Sequence, residues 1–146
     1  MADATTDAHA LVEDSIRKLG LDPGKARVPG ATGRWVLQRG SARIGIAVHP
    51  AEGSREGSLR VAAPVVKVPD EAKRLALFTH LLELNAAELV GAAFGVAGGD
   101  VVVVAERALR DLDASEVDAA IRGVGRIADT WDDTLASRFG APRVSG

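Results

Sequence analysis

"LLELNAAELVGAAFGVAGGDVVVVAERAL", residues 81–109, decides how this chain is read. It opens with helical spacing, stalls at Asn85, and closes in two apolar runs joined by Gly98-Gly99. A glycine pair in that position has two readings. A dinucleotide loop needs glycines at set intervals between a strand and a helix, so that helix N–H groups face a pyrophosphate. "GVAGGD" lacks that spacing and leads into a strand. Two apolar strands joined by Gly-Gly signal a tight hairpin whose central residues both take positive φ. The pair reads as a turn.

Three more strands precede it. "RWVLQ" (34–38) and "ARIGIAVH" (42–49) are joined by a short hairpin connection. In the second, Ala42, Ile44, Ile46 and Val48 alternate with Arg43, Gly45, Ala47 and His49, which places each set on its own face. "SLRVAAPVVKV" (58–68) turns Leu59, Val61, Ala63 and Val65 inward, and Pro64, which lacks an N–H, favours an edge or a bulge. The hairpin strands are "VGAAFGVA" (90–97) and "DVVVVAERA" (100–108).

Helices flank these strands. Residues 5–19 form the first, with Thr5, Thr6 or Asp7 as its cap. "PDEAKRLALFTHLLELN" (69–85) is the second, capped by Asp70. The third runs over 114–138, opened by an Asp113/Glu116 capping box and stopped by Gly140 and Pro142. Val117, Ile121, Val124, Ala128, Trp131 and Leu135 form its apolar stripe. The order is α-β-β-β-α-β-β-α. Strands arriving in hairpin clusters imply an α+β fold with a mainly antiparallel sheet packed on helices. At 146 residues the chain is read as one domain, 1–146, with its core over about 8–139 and flexible segments at 20–33 and 140–146.

Bulk chemistry narrows the function. There are 18 basic and 20 acidic side chains, net −2, which gives no basic surface for nucleic acid and no polybasic run for anionic lipid. No cysteine is present, so disulfides, thiolate catalysis and thiolate metal sites are excluded. The first residues read as no signal peptide, and the apolar runs are too short to span a bilayer, which favours the cytoplasm.

Reactive constellations are missing from the pattern. "GLDPGKA" has too few residues between its glycines for a phosphate loop, and Ala26 stands where Ser or Thr is needed. His9, His49 and His80 are isolated and read as surface residues. Asp129, Asp132 and Asp133 read as the solvated flank of the last helix; acids near a helix C-terminus are unfavourable with its dipole, so they point to a basic partner or to Arg138. No catalytic, cofactor-binding or metal-ligating residue is assigned. A cryptic enzyme using His49 or the aspartates is the remote reading.

The apolar surface is more informative. On the second helix Leu75, Leu77, Phe78, Leu81, Leu82 and Leu84 fan over an arc of about 180°, wider than a core-facing surface helix needs. One flank is expected to meet the core and the other a second copy of the chain. In "VVVV" (101–104) both faces are apolar and both need a cover. Leu77, Phe78, Leu81, Leu84, Val102 and Val104 are therefore the expected homodimer interface. On the first three strands the outward set, Val36, Ala47, Ala62, Pro64 and Val66 interspersed with Arg34, Arg43 and Arg60, suits an extended peptide or a protein partner, or is ordinary half-exposed surface; Val36, Arg43, Ala47, Arg60, Ala62 and Val66 are the expected partner-facing residues.

The helix ending in "LLELN", the glycine-turn hairpin, and "LxxLDASEV" opening a long helix with "ADTWDDTL" together resemble the YbjN family. That family is similar in fold to the class I, Tir-chaperone-like type III secretion chaperones. The resemblance spans residues 8–139 and implies a homodimer without a catalytic site that binds other proteins, its client lying extended over sheets and helices. The reading is a non-enzymatic, chaperone-like protein-binding module, either of the secretion type or a YbjN-type sensory-transduction regulator. A small-molecule-sensing regulatory domain is the alternative.

Overall fold

The computed structural model describes residues 3–144. Its 81–109 stretch is a helix end, a loop and a hairpin. Strands β4 (Ala93–Ala97) and β5 (Asp100–Ala108) pair antiparallel, with Ala97 opposite Asp100. Gly98 and Gly99 have φ of 57° and 83°, the two positive values that a tight hairpin requires. The pair is a turn.

Three strands join that hairpin: β1 (Arg34–Arg39), β2 (Ala42–His49) and β3 (Ser58–Lys67). The sheet has five strands in the order β1-β2-β3-β5-β4, every neighbouring pair antiparallel. Helices α1 (Ala4–Lys18), α3 (Glu71–Ala87) and α4 (Ala114–Phe139) gather on one side, with the single turn α2 (Pro23–Ala26) beside β1. The α+β class and the expected element order hold, with α2 as an addition. The segment 20–33 is thus not wholly loop: Asp22 caps α2, and Arg27 bridges to Trp35. Of the expected flexible tail, residues 145 and 146 lie outside the described residues.

Side-chain alternation makes the core. Ile44, Leu59, Val61, Ala63 and Val103 point to the helices and are fully buried. Helix α4 lies across β2, β3 and β5 and contributes Val117, Ile121, Val124, Ala128 and Leu135. Its Trp131 is half-buried. At Gly125 a Cβ would stand 2.9 Å from the Ile44 Cδ1, so the missing side chain is what lets the helix settle on β2. The Asp113/Glu116 capping box forms in full, and Gly140 ends α4 in the left-handed conformation.

Several details depart from expectation. Asp3, not Thr5, Thr6 or Asp7, caps α1, because the helix starts one residue earlier and Asp3 reaches the Thr6 N–H at 2.8 Å. Asp70 sits at the N-cap of α3 but makes no side-chain cap bond. The β4 strand begins at Ala93 rather than residue 90. Pro64 lies in a central strand, and its missing N–H is accommodated by a register shift between Pro64 and Val66. That bulge turns Val66 inward opposite Val101, where it is fully buried. Val66 is therefore core and not part of the outward set.

Candidate functional site on the open sheet face

Successive residues of a strand alternate sides, so the residues between the core positions form a second face. The helices leave it open. Cross-strand pairing sets Val36, Gly45, Ala62, Val104 and Ala93 in one row across all five strands. This row is small and apolar, and it forms the floor of a trough. Beside it runs a second row, Arg34, Ala47, Arg60 and Glu106. On its other flank lie Arg43, Pro64 and Val102, and beyond the bulge Lys67 opposite Asp100.

Two shallow depressions of about 450 and 480 Å³ lie on either side of the floor and share Val36, Gly45 and Ala62. Val36, Ala47, Ala62, Val102 and Val104 are half-buried within the single chain. Arg60 pairs with Glu106 at 3.0 Å. Arg34 and Arg43 are exposed and take part in no ion pair among the described residues. Five of the six expected partner-facing residues, Val36, Arg43, Ala47, Arg60 and Ala62, thus share one open face; Val66 does not.

Helix α3 presents a second surface. Leu77, Leu81 and Leu84 are buried at 0–4% exposure and belong to the chain's own core. This corrects their assignment to an interface. Their spacing of four and three is the stripe that meets β4 and α4. Phe78 is half-buried at the border. On the opposite side Leu75 and Leu82 are 79% and 67% exposed. The wide apolar arc is two stripes. The seven-residue spacing of Leu75 and Leu82, offset from that of Leu77 and Leu84, is the signal that separates them.

The remaining candidates are structural. His80 is not a free surface residue: its ring packs against Trp131 and Phe139, with centroids 6.0 and 5.4 Å away. His9 packs edge-on against Trp35 at 5.4 Å. Ser41 bonds to Asp129 and Asp132, each at 2.8 Å, and Asp133 pairs with Arg143 rather than with Arg138. Among the described residues no cluster of His, Asp and Glu is placed to hold a metal, and no helix is long and apolar enough to cross a membrane.

The family described as T3SS (YopN, CesT) and YbjN peptide-binding chaperone 1 matches residues 6–144. No curated protein sequence matches the chain. Among solved structures, the fold is similar to one in the ExsC–ExsE complex (18% identity, TM-score 0.65, 92% of this chain and 97% of that one). It is also similar to one in the HopA1–SchA chaperone–effector complex (14%, 0.63, 91% and 99%). A third is in the heterodimeric ExoU–SpcU complex from the type III secretion system of Pseudomonas aeruginosa (14%, 0.59, 83% and 94%). At these identities the likeness is one of fold.

Proposed function

This chain belongs to the family of T3SS (YopN, CesT) and YbjN peptide-binding chaperones, and on that premise we propose that it holds an extended segment of a client protein on the open face of its sheet. It does no chemistry on that segment. The observation that carries the reading is the row Val36, Gly45, Ala62, Val104 and Ala93, a small-residue floor that none of the chain's own helices covers. Small side chains let a backbone approach closely, and a half-buried apolar floor gains by losing the rest of its water. The chaperone–effector pairing among the similar folds agrees with this use of the surface.

The chain works as a homodimer in the cytoplasm. Its second copy sits on the outer stripe of α3, where Leu75 and Leu82 stand away from the core and the half-buried Phe78 borders it. An isologous contact brings the same stripe from both copies together, so each contact between the stripes is made twice. Client and second copy then occupy different surfaces.

The test is paired capture. Immobilised wild type and Ala62→Trp are exposed to the same native lysate, and bound proteins are identified by mass spectrometry. Tryptophan fills the floor without touching the core. A client held by wild type and lost by Ala62→Trp, with the circular dichroism of the two alike, supports the reading. A client retained equally by both places its site elsewhere.

A further inference from the structure

The open face carries a charge pattern as well as an apolar floor, and this bears on what it selects. We propose that it selects an acidic amphipathic segment, one whose apolar residues alternate with carboxylates. The proposal rests on the open face being the client site and specifies the client's chemistry.

Arg43 and Ala47 are four residues apart on β2, so at about 3.3 Å per residue the two flanks of the floor are about 13 Å apart. Arg34 pairs with Ala47 across the strands and therefore stands on the far flank from Arg43. The floor runs between two cationic walls. Crossing five strands takes about 19 Å, the reach of about six extended residues.

The charge count on this face is uneven. Glu106 is engaged by Arg60 at 3.0 Å, and Asp100 lies opposite Lys67 in the register. Arg34 and Arg43 remain without an anionic partner among the described residues. This occurs in a chain whose net charge is −2, so the positive face is a local feature and not a reflection of composition. A guanidinium presents a planar fork that fits a carboxylate with two parallel bonds. An apolar segment with neutral flanks would cover the floor and leave both forks facing water. One with lysines would set like charges across a partly desolvated contact.

The experiment uses three fluorescein-labelled peptides of about ten residues, long enough to cross the sheet. They share one apolar pattern, and their polar positions are all Glu, all Gln or all Lys. Binding to the full chain is read by fluorescence anisotropy at low and high salt. The Glu peptide is expected to bind about tenfold tighter than the Gln peptide, as charge-assisted bonds imply, and to weaken as salt screens it. The Lys peptide should bind weakest. Arg34→Gln with Arg43→Gln should abolish the preference and leave the Gln peptide's affinity in place.

Equal binding of the Glu and Lys peptides, or a preference that survives the double substitution, overturns the charge proposal. If the peptides bind equally and Ala62→Trp removes them all, the site stands and only its acidity is wrong. If none of the three binds, or Ala62→Trp changes nothing, the face is not the client site and both readings fall. A dimer split by Ala62→Trp would put a second copy on the face and also overturn the proposal.

Discussion

The side-chain amide of Asn85, in the last turn of α3, bonds both backbone groups of Phe94 on the edge strand β4. The Phe94 N–H donates to Oδ1 at 2.7 Å, and Nδ2 donates to the Phe94 carbonyl at 3.1 Å. An edge strand otherwise presents such groups to any passing chain. One carboxamide, with its acceptor and donor side by side, stands in for a neighbouring strand. It also ties the helix to the hairpin inside the stretch 81–109.

Replacing Asn85 with Ala should therefore cost about 1–3 kcal/mol, because two partly buried backbone groups lose their partners. Asn85→Asp keeps the acceptor but sets a carboxylate against the Phe94 carbonyl, and should cost at least as much. Urea denaturation checks this: the midpoint should fall with little change in slope. An unchanged midpoint for Asn85→Ala would mean that water satisfies Phe94 equally well.

The Gly98-Gly99 turn makes a separate prediction. Gly98 has φ of 57°, and nothing lies within 4 Å of a Cβ built there. The cost of a side chain is then backbone strain alone. Gly98→Ala should lower stability by about 1 kcal/mol, and Gly98→Asn by less, since asparagine tolerates the left-handed region. Thermal melts give the order. The reading of the pair as a turn alone predicts no nucleotide site there; tight, saturable binding of ATP or NAD to the wild type would reverse that reading.

Much of this fold is legible because each signal is local. The bounds of β2 and β5 follow from alternation and turn residues, and the Asp113/Glu116 box follows from residue type and spacing. Val66 was hidden because a bulge reverses every side chain beyond it, and Pro64 permits either a bulge or an edge without choosing. The cap of α1 was ambiguous because Asp3, Thr5, Thr6 and Asp7 all carry suitable oxygens. Of the candidate site, Val36, Arg43, Ala47, Arg60 and Ala62 followed from strand period. Which side of α3 meets the core did not, because periodicity defines stripes and only packing assigns them.

Acid should weaken one seam between helices. Asp118 on α4 is held below the ordinary carboxyl value of 3.8, first by a hydrogen bond from the Ser15 hydroxyl of α1 and then by Lys18, against a smaller opposing effect of burial than of Ser15. The folded state thus gives up this proton more readily than the unfolded chain. Its contribution is present above the unfolded value and is lost as pH falls through the folded one. Asp118→Asn should lower the melting temperature at about pH 6, and this penalty should shrink as the pH falls below the unfolded carboxyl's value of 3.8 and through the lower folded one. A penalty that is constant across this range would assign the loss to packing rather than to charge.

The adjacent residues Leu81 and Leu82 separate the core from the proposed interface. Leu81 is 4% exposed and Leu82 is 67% exposed. Leu81→Ala should cost about 2–5 kcal/mol through lost burial and the cavity left behind. Leu81→Glu should unfold the chain, because an unpaired carboxylate would enter the core. The interface role expected of Leu81 from the helical arc alone passes to its neighbour. Leu82→Glu leaves the core intact and sets two carboxylates against each other across the proposed symmetric contact, so it should yield a folded monomer. Thr79→Glu, on the wet side of the helix, serves as a charge control. Circular dichroism reports the fold and light scattering the mass. Native mass for the dimer in both Leu82→Glu and Leu75→Glu would move the interface off α3, and a wild type that is monomeric at tens of micromolar would remove it altogether.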